Sequence, residues 1–209
     1  MKIILCPNPF RDKGLKAARS TERLLSAAGV HTEYCFPFPV EKSNIGEIDP
    51  AIKIKEMKTE LPDADFLVCF GGDGTILHAA KDASSFGVPS VGVNMGSVGF
   101  MAELEQGELL QLTRLISGEY SLENRMLLDV RVIREGRVIF RSTALNDAVI
   151  TKGAVARVID LQIYGDKLLI SNVFGDGVLL AHHTGSTANS LPSGGPIVEP
   201  TPENIINNP

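Results

Sequence analysis

The period of the hydrophobic pattern changes near residue 118, and this change limits the folds that are open to the chain. Before it, apolar strand-like runs such as residues 2–6, 66–70 and 88–93 alternate with helix-like segments. Such an alternation predicts a mostly parallel sheet with helices on both faces. After it, apolar and polar residues alternate with a period close to two, and turn residues separate two predicted hairpins. The second part is therefore predicted to be β-rich and mostly antiparallel.

We place the domain boundary at this change of period. It gives an α/β domain over residues 1–118 and a β-rich domain over residues 119–209. The predicted helices of the first domain, each recognised by apolar residues at helical spacing, cover residues 14–28, 52–61, 76–84 and 104–116.

Composition excludes several classes of protein. With 20 Lys+Arg and 25 Asp+Glu, the chain has a net charge of −5. It therefore lacks the excess of basic residues that is typical of a general nucleic-acid binder. No apolar run approaches the roughly 20 residues of a spanning helix, and the first residues carry too short an apolar run for a secretory signal. The 3 cysteines have no CxxC spacing and do not form a disulfide framework. We therefore expect a cytoplasmic protein that binds neither nucleic acid nor a membrane.

Two glycine-rich loops follow neighbouring predicted strands. Residues 71–75 (GGDGT) come directly after the strand at 66–70, and residues 94–100 (NMGSVGF) follow the next strand. Glycines let the backbone approach a ligand, the start of a helix favours an anion such as phosphate, and the carboxyl ends of parallel strands form the ligand-binding edge of such sheets. Asp73 in the first loop can accept a proton from a hydroxyl or hold Mg²⁺. The alternative for this loop is a tight turn with a capping Asp.

Further polar groups lie in the predicted β-rich domain. The adjacent Asn146 and Asp147 can bind a vicinal diol, with Asn donating and Asp accepting, although as a lone dipeptide an ordinary turn explains them better. Residues 175–177 (GDG) and 184–188 (TGSTA) resemble a loop entering a helix, where hydroxyls and N–H groups meet a polar ligand. A hairpin turn and helix capping, respectively, are the alternatives for these two runs.

Taken in this order, the motifs resemble those of the NAD kinase family (the ATP–NAD kinases). The match extends from the strand before Gly71 to Pro200 and rests on the combination of GGDGT, NMGSVGF, LND, GDG, TGSTA and GGPIVEP. The resemblance implies that NAD binds between an α/β and a β-rich domain. It implies transfer of the γ-phosphoryl group of ATP (or a phosphoryl group of polyphosphate) to the 2′-hydroxyl of the adenosine ribose. It also implies Mg²⁺ bound with ATP, no fixed protein metal site, and a homo-oligomer.

The resemblance also implies roles for individual residues. Asp73 would be the catalytic carboxylate near the acceptor hydroxyl, and Phe100 would pack near the adenine. Asn146 and Asp147 would match the family's pair on the ribose and nicotinamide side, where many members have Glu in place of Asp147. The other residues that the resemblance assigns to nucleotide binding are Gly72, Gly74, Thr75, His78, Asn94, Asp176, Thr184, Ser186, Thr187 and Ala188.

Several positions depart from the family pattern around the expected adenine pocket. His182 and His183 stand where the family usually has Thr-Pro, and we do not interpret them as a metal site because neighbouring strand residues point to opposite faces. Asn189 replaces an aromatic Tyr, and Pro192 replaces a small residue. Loss of an aromatic stacking surface predicts weaker binding of NAD.

The end of the sequence adds a further expectation. Family members continue past GGPIVEP with more strands, whereas this chain stops at residue 209, so we expect a C-terminally truncated copy with an incomplete β-rich domain. Two alternatives to an NAD kinase follow. One is a catalytically impaired nucleotide-binding fragment of the same family, and the other is a diacylglycerol-type lipid kinase, which shares GGDGT. The TGSTA and NMGSVGF motifs favour the NAD kinase over the lipid kinase.

Overall fold

The hydrophobic runs of the N-terminal part of the chain pair into one parallel sheet. The computed structural model describes residues 1–41, 48–96, 99, 101–153, 157–198 and 204–208. The strands, in sequence order, are β1 (Lys2–Pro7), β2 (His31–Cys35), β3 (Ile54–Lys55), β4 (Phe66–Gly71), β5 (Ser90–Asn94) and β6 (Leu104–Glu105). Their order in the sheet is β3-β2-β1-β4-β5-β6 and all neighbours are parallel. The order reverses between β1 and β4, and the carboxyl ends of two strands at such a point form the crevice where open α/β sheets bind ligands.

Helices pack on both faces of this sheet. They are α1 (Lys16–Ala27), α2 (Met57–Glu60), α3 (Asp73–Ser84) and α4 (Arg114–Ser117), with 3-10 segments at Lys13–Leu15, Leu61–Asp63 and Gln106–Thr113. On one face, Leu25 of α1 shares a buried core with Leu5 of β1 and Val68 of β4. Because strand side chains alternate between faces, Gly92 of β5 lies on the other face, where it leaves room for Ile76 of α3.

Two of the predicted helices differ from the structure. Residues 52–61 form β3 and the short α2, because the first part pairs with β2 at the sheet edge and Lys55 forms a 2.7 Å ion pair with Glu33. Residues 104–116 form β6, a 3-10 segment and most of α4. The first two residues of the stretch pair with Val93 and Asn94 of β5 at the sheet edge, so the helical part begins only at Gln106.

The C-terminal part of the chain is antiparallel. Its strands are β7 (Leu128–Arg134), β8 (Arg137–Ala144), β9 (Asp147–Thr151), β10 (Ile159–Gly165), β11 (Leu168–Gly175), β12 (Gly177–Ala181) and β13 (Ile206–Asn208). The two predicted hairpins, β7–β8 and β10–β11, are confirmed, and β13-β12-β9 form a separate sheet. Asp166 and Lys167 turn the second hairpin with φ of 48° and 71°, the positive values of a turn that matches strand twist. After β12 come α5 (His183–Gly185) and a π-helical turn, Ser186–Ser190.

Contacts within the chain divide it into two units, Met1–Glu123 and Asn124–Pro209. The predicted fold class, an α/β part followed by a β-rich antiparallel part, is confirmed. The domain bounds at 118 and 119 remain a prediction. None of the described helices is long and apolar enough to cross a membrane.

Both hairpins of the second unit carry exposed apolar side chains. Ile133 and Phe140 of the first hairpin are more than half exposed, and Leu168 and Phe174 of the second are about three quarters exposed. Monomeric proteins rarely expose large apolar surfaces, so hairpins with several exposed apolar side chains are typical of contact surfaces.

Candidate functional site

A polar cavity of about 450 Å³ lies where the order of the first sheet reverses. Its walls contain residues that the sequence motifs predict, from the glycine-rich loops and the helix after the first of them, and three residues that no motif predicts. The predicted ones are Gly72, Asp73, Gly74, Thr75 and His78, and Gly99 of the second loop joins them; the additional ones are Asn8, Arg11 and Phe38.

Strand β4 passes into helix α3 through Gly72 alone. The helix therefore begins at Asp73, three residues before the predicted start, and Asp73 is helical where the sequence predicts a loop. A Cβ at Gly71 would collide with the Thr75 side chain, so this short connection requires glycine at that position. The partial positive charge of a helix N-terminus favours a carboxylate there.

Two contacts, one from Met101 directly after the second glycine-rich loop and one from Gly99 within it, fix the Asp73 carboxylate. The N–H of Met101 donates to its Oδ1 at 3.2 Å. A Cβ at Gly99 would collide with the same oxygen, so glycine is needed for the loop to pass this close. The carboxylate is thereby held at the cavity wall, at the carboxyl end of β4.

Asn8 and Arg11 bring the end of β1 into the same cavity. The Asn8 amide donates to Oγ1 of Thr75 at 2.9 Å, and its backbone N–H donates to the carbonyl of Phe70 at 2.8 Å. The exposed Arg11 guanidinium places a positive charge on the wall, which complements a phosphate. No sequence motif marks these residues; they lie beside Asp73 because β1 is the neighbour of β4.

The remaining wall of the cavity is aromatic. Phe38 stacks on Phe10 with ring centroids 6.3 Å apart, and His78 meets Phe38 edge-on at 6.1 Å. His78 is exposed on α3, and its ring belongs to this wall.

Asn94 is the last residue of β5, and its side chain stabilises the loop that follows the strand. Its amide donates to both carboxylate oxygens of Glu105 at 3.1 and 3.2 Å, and its Oδ1 accepts from the N–H of Gly96 at 3.1 Å. It does not line the cavity. The predicted adenine contact, Phe100, lies outside the described residues.

In the second unit, the Asn146–Asp147 pair lies at one end of the β9–β12 ladder. Asp147 begins β9 and pairs with Ala181, the last residue of β12. A Cβ at Gly185 would collide with the Asn146 carbonyl, so α5 packs directly against this bend. The side-chain amide of Asn189 lies 3.2 Å from both carboxylate oxygens of Asp147, to which it donates.

The histidine pair stands at the start of α5. His182 is fully buried, and its Nδ1 accepts from the N–H of Thr184 at 3.2 Å, which caps the helix. Burial lowers the pKa of His182, and the adjacent His183 lowers it further. His183 is 8% exposed, with its ring centroid 5.0 Å from that of His182. The Ser186 hydroxyl donates to the His183 carbonyl at 2.6 Å, and is thus part of the turn itself.

Asp176 is separated from these residues by the length of β12. It connects β11 to β12, which belong to different sheets, so the hairpin-turn alternative is wrong. Its carboxylate is exposed and forms a 2.7 Å ion pair with Lys152. At about 3.4 Å per residue, the five residues of β12 place Asp176 more than about 10 Å from the end of the strand that carries Ala181. Thr187 and Ala188 lie partly buried on the π-helical turn at that far end.

The described residues contain no cluster of three or more His, Cys, Asp or Glu side chains that could hold a metal ion. Asp73 offers a carboxylate oxygen at the cavity. Mg²⁺ is commonly bound by one or two carboxylates together with substrate phosphates. The Asp73 carboxylate therefore fits a Mg²⁺ ion that arrives together with substrate phosphates.

Comparison with known proteins gives matches over most of the chain. The family model described as the ATP-NAD kinase N-terminal domain matches residues 15–120, and the model of the ATP-NAD kinase C-terminal domain matches residues 145–209. An NAD kinase of Ruminiclostridium cellulolyticum is 35% identical over 210 residues, which cover 100% of this chain and 71% of that protein. An NAD kinase of Caldanaerobacter subterraneus is 37% identical over 209 residues, covering 100% and 72%.

Two solved structures share the fold. Yeast NADH kinase, complexed with NADH, matches with a TM-score of 0.83 and 24% identity, covering 100% of this chain and 65% of that one. An NAD kinase from Archaeoglobus fulgidus, in complex with ATP, matches with a TM-score of 0.66 and 23% identity, covering 100% and 72%. The chain thus spans about two thirds to three quarters of the length of these proteins.

Proposed function

Because this chain belongs to the ATP-NAD kinase family, we propose that it transfers the γ-phosphoryl group of ATP to the 2′-hydroxyl of the adenosine ribose of NAD, giving NADP. The family resemblance read from the motifs is confirmed, and the chain is an enzyme of the phosphotransferase class. Neither alternative, an impaired nucleotide-binding fragment or a diacylglycerol-type lipid kinase, is favoured by these matches.

The observation that carries the proposal is the fixed Asp73 carboxylate in a cavity that also holds a positive charge. In the proposed step, Asp73 accepts the proton of the ribose hydroxyl as its oxygen forms a bond to the γ-phosphorus. The bond between that phosphorus and the bridging oxygen breaks, and ADP leaves with the electron pair. Phosphoryl transfer requires little covalent participation by the protein, so positioning of the reactants and stabilisation of charge are sufficient for catalysis.

The phosphates of ATP are proposed to lie along Arg11 and the start of α3. A guanidinium and backbone N–H groups at a helix start both suit phosphate oxygens. Within this scheme Gly72, Gly74 and Thr75 form the phosphate-facing turn, and His78 is part of the aromatic wall. We propose Mg²⁺ as the divalent cation; when bound it would neutralise charge on the phosphate oxygens, and Asp73 is the residue that would hold it.

We propose that the second unit contributes the residues that hold NAD. Asn146 and Asp147 carry the donor and acceptor groups that a ribose diol needs. Thr184, Thr187 and Ala188 lie on α5 and the turn that follows, at the same end of the β9–β12 ladder. Ser186 supports this turn through its hydrogen bond to a backbone carbonyl, and Asp176 lies at the opposite end of β12 from the other predicted residues.

The test is NADP formation from NAD and ATP with Mg²⁺, measured for the wild type and for Asp73→Asn. Loss of a positioned base is expected to lower kcat by about 10²–10⁴-fold while NAD still binds. Asp82→Asn, on the same helix but away from the cavity, is the matched control and should keep wild-type kcat. An unchanged kcat in Asp73→Asn would refute the role of Asp73. Binding of NAD without turnover in the wild type supports the impaired alternative, and phosphorylation of diacylglycerol in place of NAD supports the lipid kinase.

We also propose that the protein is a homo-oligomer located in the cytoplasm. The exposed apolar faces of the β7–β8 and β10–β11 hairpins support association, because such faces are typical of contact surfaces. Light scattering coupled to size exclusion measures the mass directly, and a monomer at micromolar concentration would contradict the proposal.

A further inference from the structure

Buried polar atoms without a hydrogen-bond partner gather at the start of α5. They are Nε2 of His182, both ring nitrogens of His183, the hydroxyl oxygen of Thr184 and the side-chain oxygen of Asn146, none of which has a partner among the residues that the structure describes. A polar group that is buried without a partner is unfavourable, so native proteins supply one from protein, water or ligand. Several such atoms on adjacent residues therefore indicate a place where another molecule completes the bonding.

These residues meet at one end of the β9–β12 ladder. Asp147 and Ala181 are the last pair of the ladder, and Asn146 and His182 are the residues that adjoin this pair on the two segments. The close approach of Gly185 to the Asn146 carbonyl holds α5 against this bend. The cluster is thus assembled by regular pairing and close packing of two segments that lie almost 40 residues apart in sequence.

The two histidines differ in how many ring nitrogens are bonded. Nδ1 of His182 is occupied by the helix cap, so this residue positions α5, whereas its Nε2 has no partner among the described residues. The ring of His183 is more than nine-tenths buried and has both nitrogens available. A neutral imidazole presents one donor and one acceptor, the Thr184 hydroxyl presents both, and the Asn146 oxygen accepts.

We propose that His183 contacts the substrate NAD directly and, with Thr184 and Asn146, forms a subsite for a neutral polar group that carries both a donor and an acceptor. A carboxamide or a sugar hydroxyl has this character, whereas a phosphate offers acceptors only. The proposal rests on the proposed function and adds a specificity residue at a position where the family resemblance implies Thr-Pro in place of two histidines.

The test replaces the ring nitrogens while the ring itself is kept. In His183→Phe the Kd for NAD, measured by calorimetry, is expected to rise about tenfold, which corresponds to about 1.4 kcal/mol. The KM for ATP should stay the same, because ATP is assigned to the first unit. The Tm should not fall, since an apolar ring replaces unpaired nitrogens. His31→Gln, an exposed histidine on β2, is the control and should match the wild type.

A second variant keeps the proposal testable if His183→Phe does not fold. Thr184→Val removes one hydroxyl at nearly constant shape and should also raise the Kd for NAD several-fold. An unchanged Kd for NAD in both folded variants would overturn the subsite, and would mean that ordered water completes the cluster. If the wild type makes NADP while these variants bind NAD normally, only the subsite fails. If the wild type neither binds nor phosphorylates NAD, the proposed function fails and the subsite with it.

Discussion

Gly99→Ala is the most informative single substitution at the Asp73 carboxylate. The new Cβ would overlap Oδ1 of Asp73, so the carboxylate must move away from the Met101 N–H that it now accepts from at 3.2 Å. A displacement of about 1 Å can lower the rate about 10²-fold, equivalent to about 2.7 kcal/mol of transition-state stabilisation.

The assay compares kcat for NADP formation in Gly99→Ala with the wild type and with Gly107→Ala. A Cβ at Gly107 meets no atom within 4 Å, so this variant is a matched control that adds a methyl group without a collision. We expect kcat to fall about 100-fold in Gly99→Ala alone, because the displaced Asp73 carboxylate is no longer positioned to accept the proton of the ribose hydroxyl. A kcat within threefold of the wild type would refute the conclusion that the loop fixes Asp73.

Three further predictions concern stability and affinity. Unfolded His182 takes up a proton near its ordinary pKa of 6.5, before the folded residue does, so stability should fall as the pH drops below that value, by up to about 1.4 kcal/mol per pH unit. Unfolding curves at pH 7.5 and 5.5 should show this loss, and His182→Asn, which keeps a cap acceptor for the N–H of Thr184, should reduce it. Asp12→Ala should cost about 1–2 kcal/mol in urea unfolding, because the buried carboxylate accepts from two N–H groups of α1 at 2.9 and 3.0 Å; an unchanged midpoint would contradict this. Asn189→Tyr should lower the Kd for NAD at least several-fold, since it adds about 1 kcal/mol or more of stacking surface and releases Asp147; equal affinity would argue against a binding role for this turn.

The parts of the fold that depend on local sequence were predictable. Strand β4 is a run of apolar residues that ends at a glycine, and the helix that follows it is formed by the next residues in the sequence. The position of Asp73 between a strand and a helix could therefore be predicted from local sequence alone. The two hairpins of the second unit were likewise predicted from alternation and turn residues. Residues 52–61 were misassigned because apolar residues in short segments suit either period, and pairing with β2 decides between them.

The parts of the site that depend on distant contacts were not predictable. Asn8 and Arg11 carry no motif, and they line the cavity because the sheet order places β1 beside β4. The contact of Asn189 with Asp147 joins residues 42 apart in sequence. The burial of His183 follows from the packing of α5 against the bend at Asn146, which a single sequence does not display.

The reversal of strand order between β1 and β4 also bears on how the cavity comes into being as the chain folds. The bond from Asn8 to Thr75 closes a loop of 67 residues, so the cavity is absent until the central pair of the sheet has joined. Loop closure of this length must precede any gain from the contacts it makes, and non-local pairings of this kind slow folding. Phosphoryl transfer during refolding is therefore not expected to recover before β1 has docked on β4, because partly folded states that lack this pair also lack the cavity wall formed by Asn8 and Arg11.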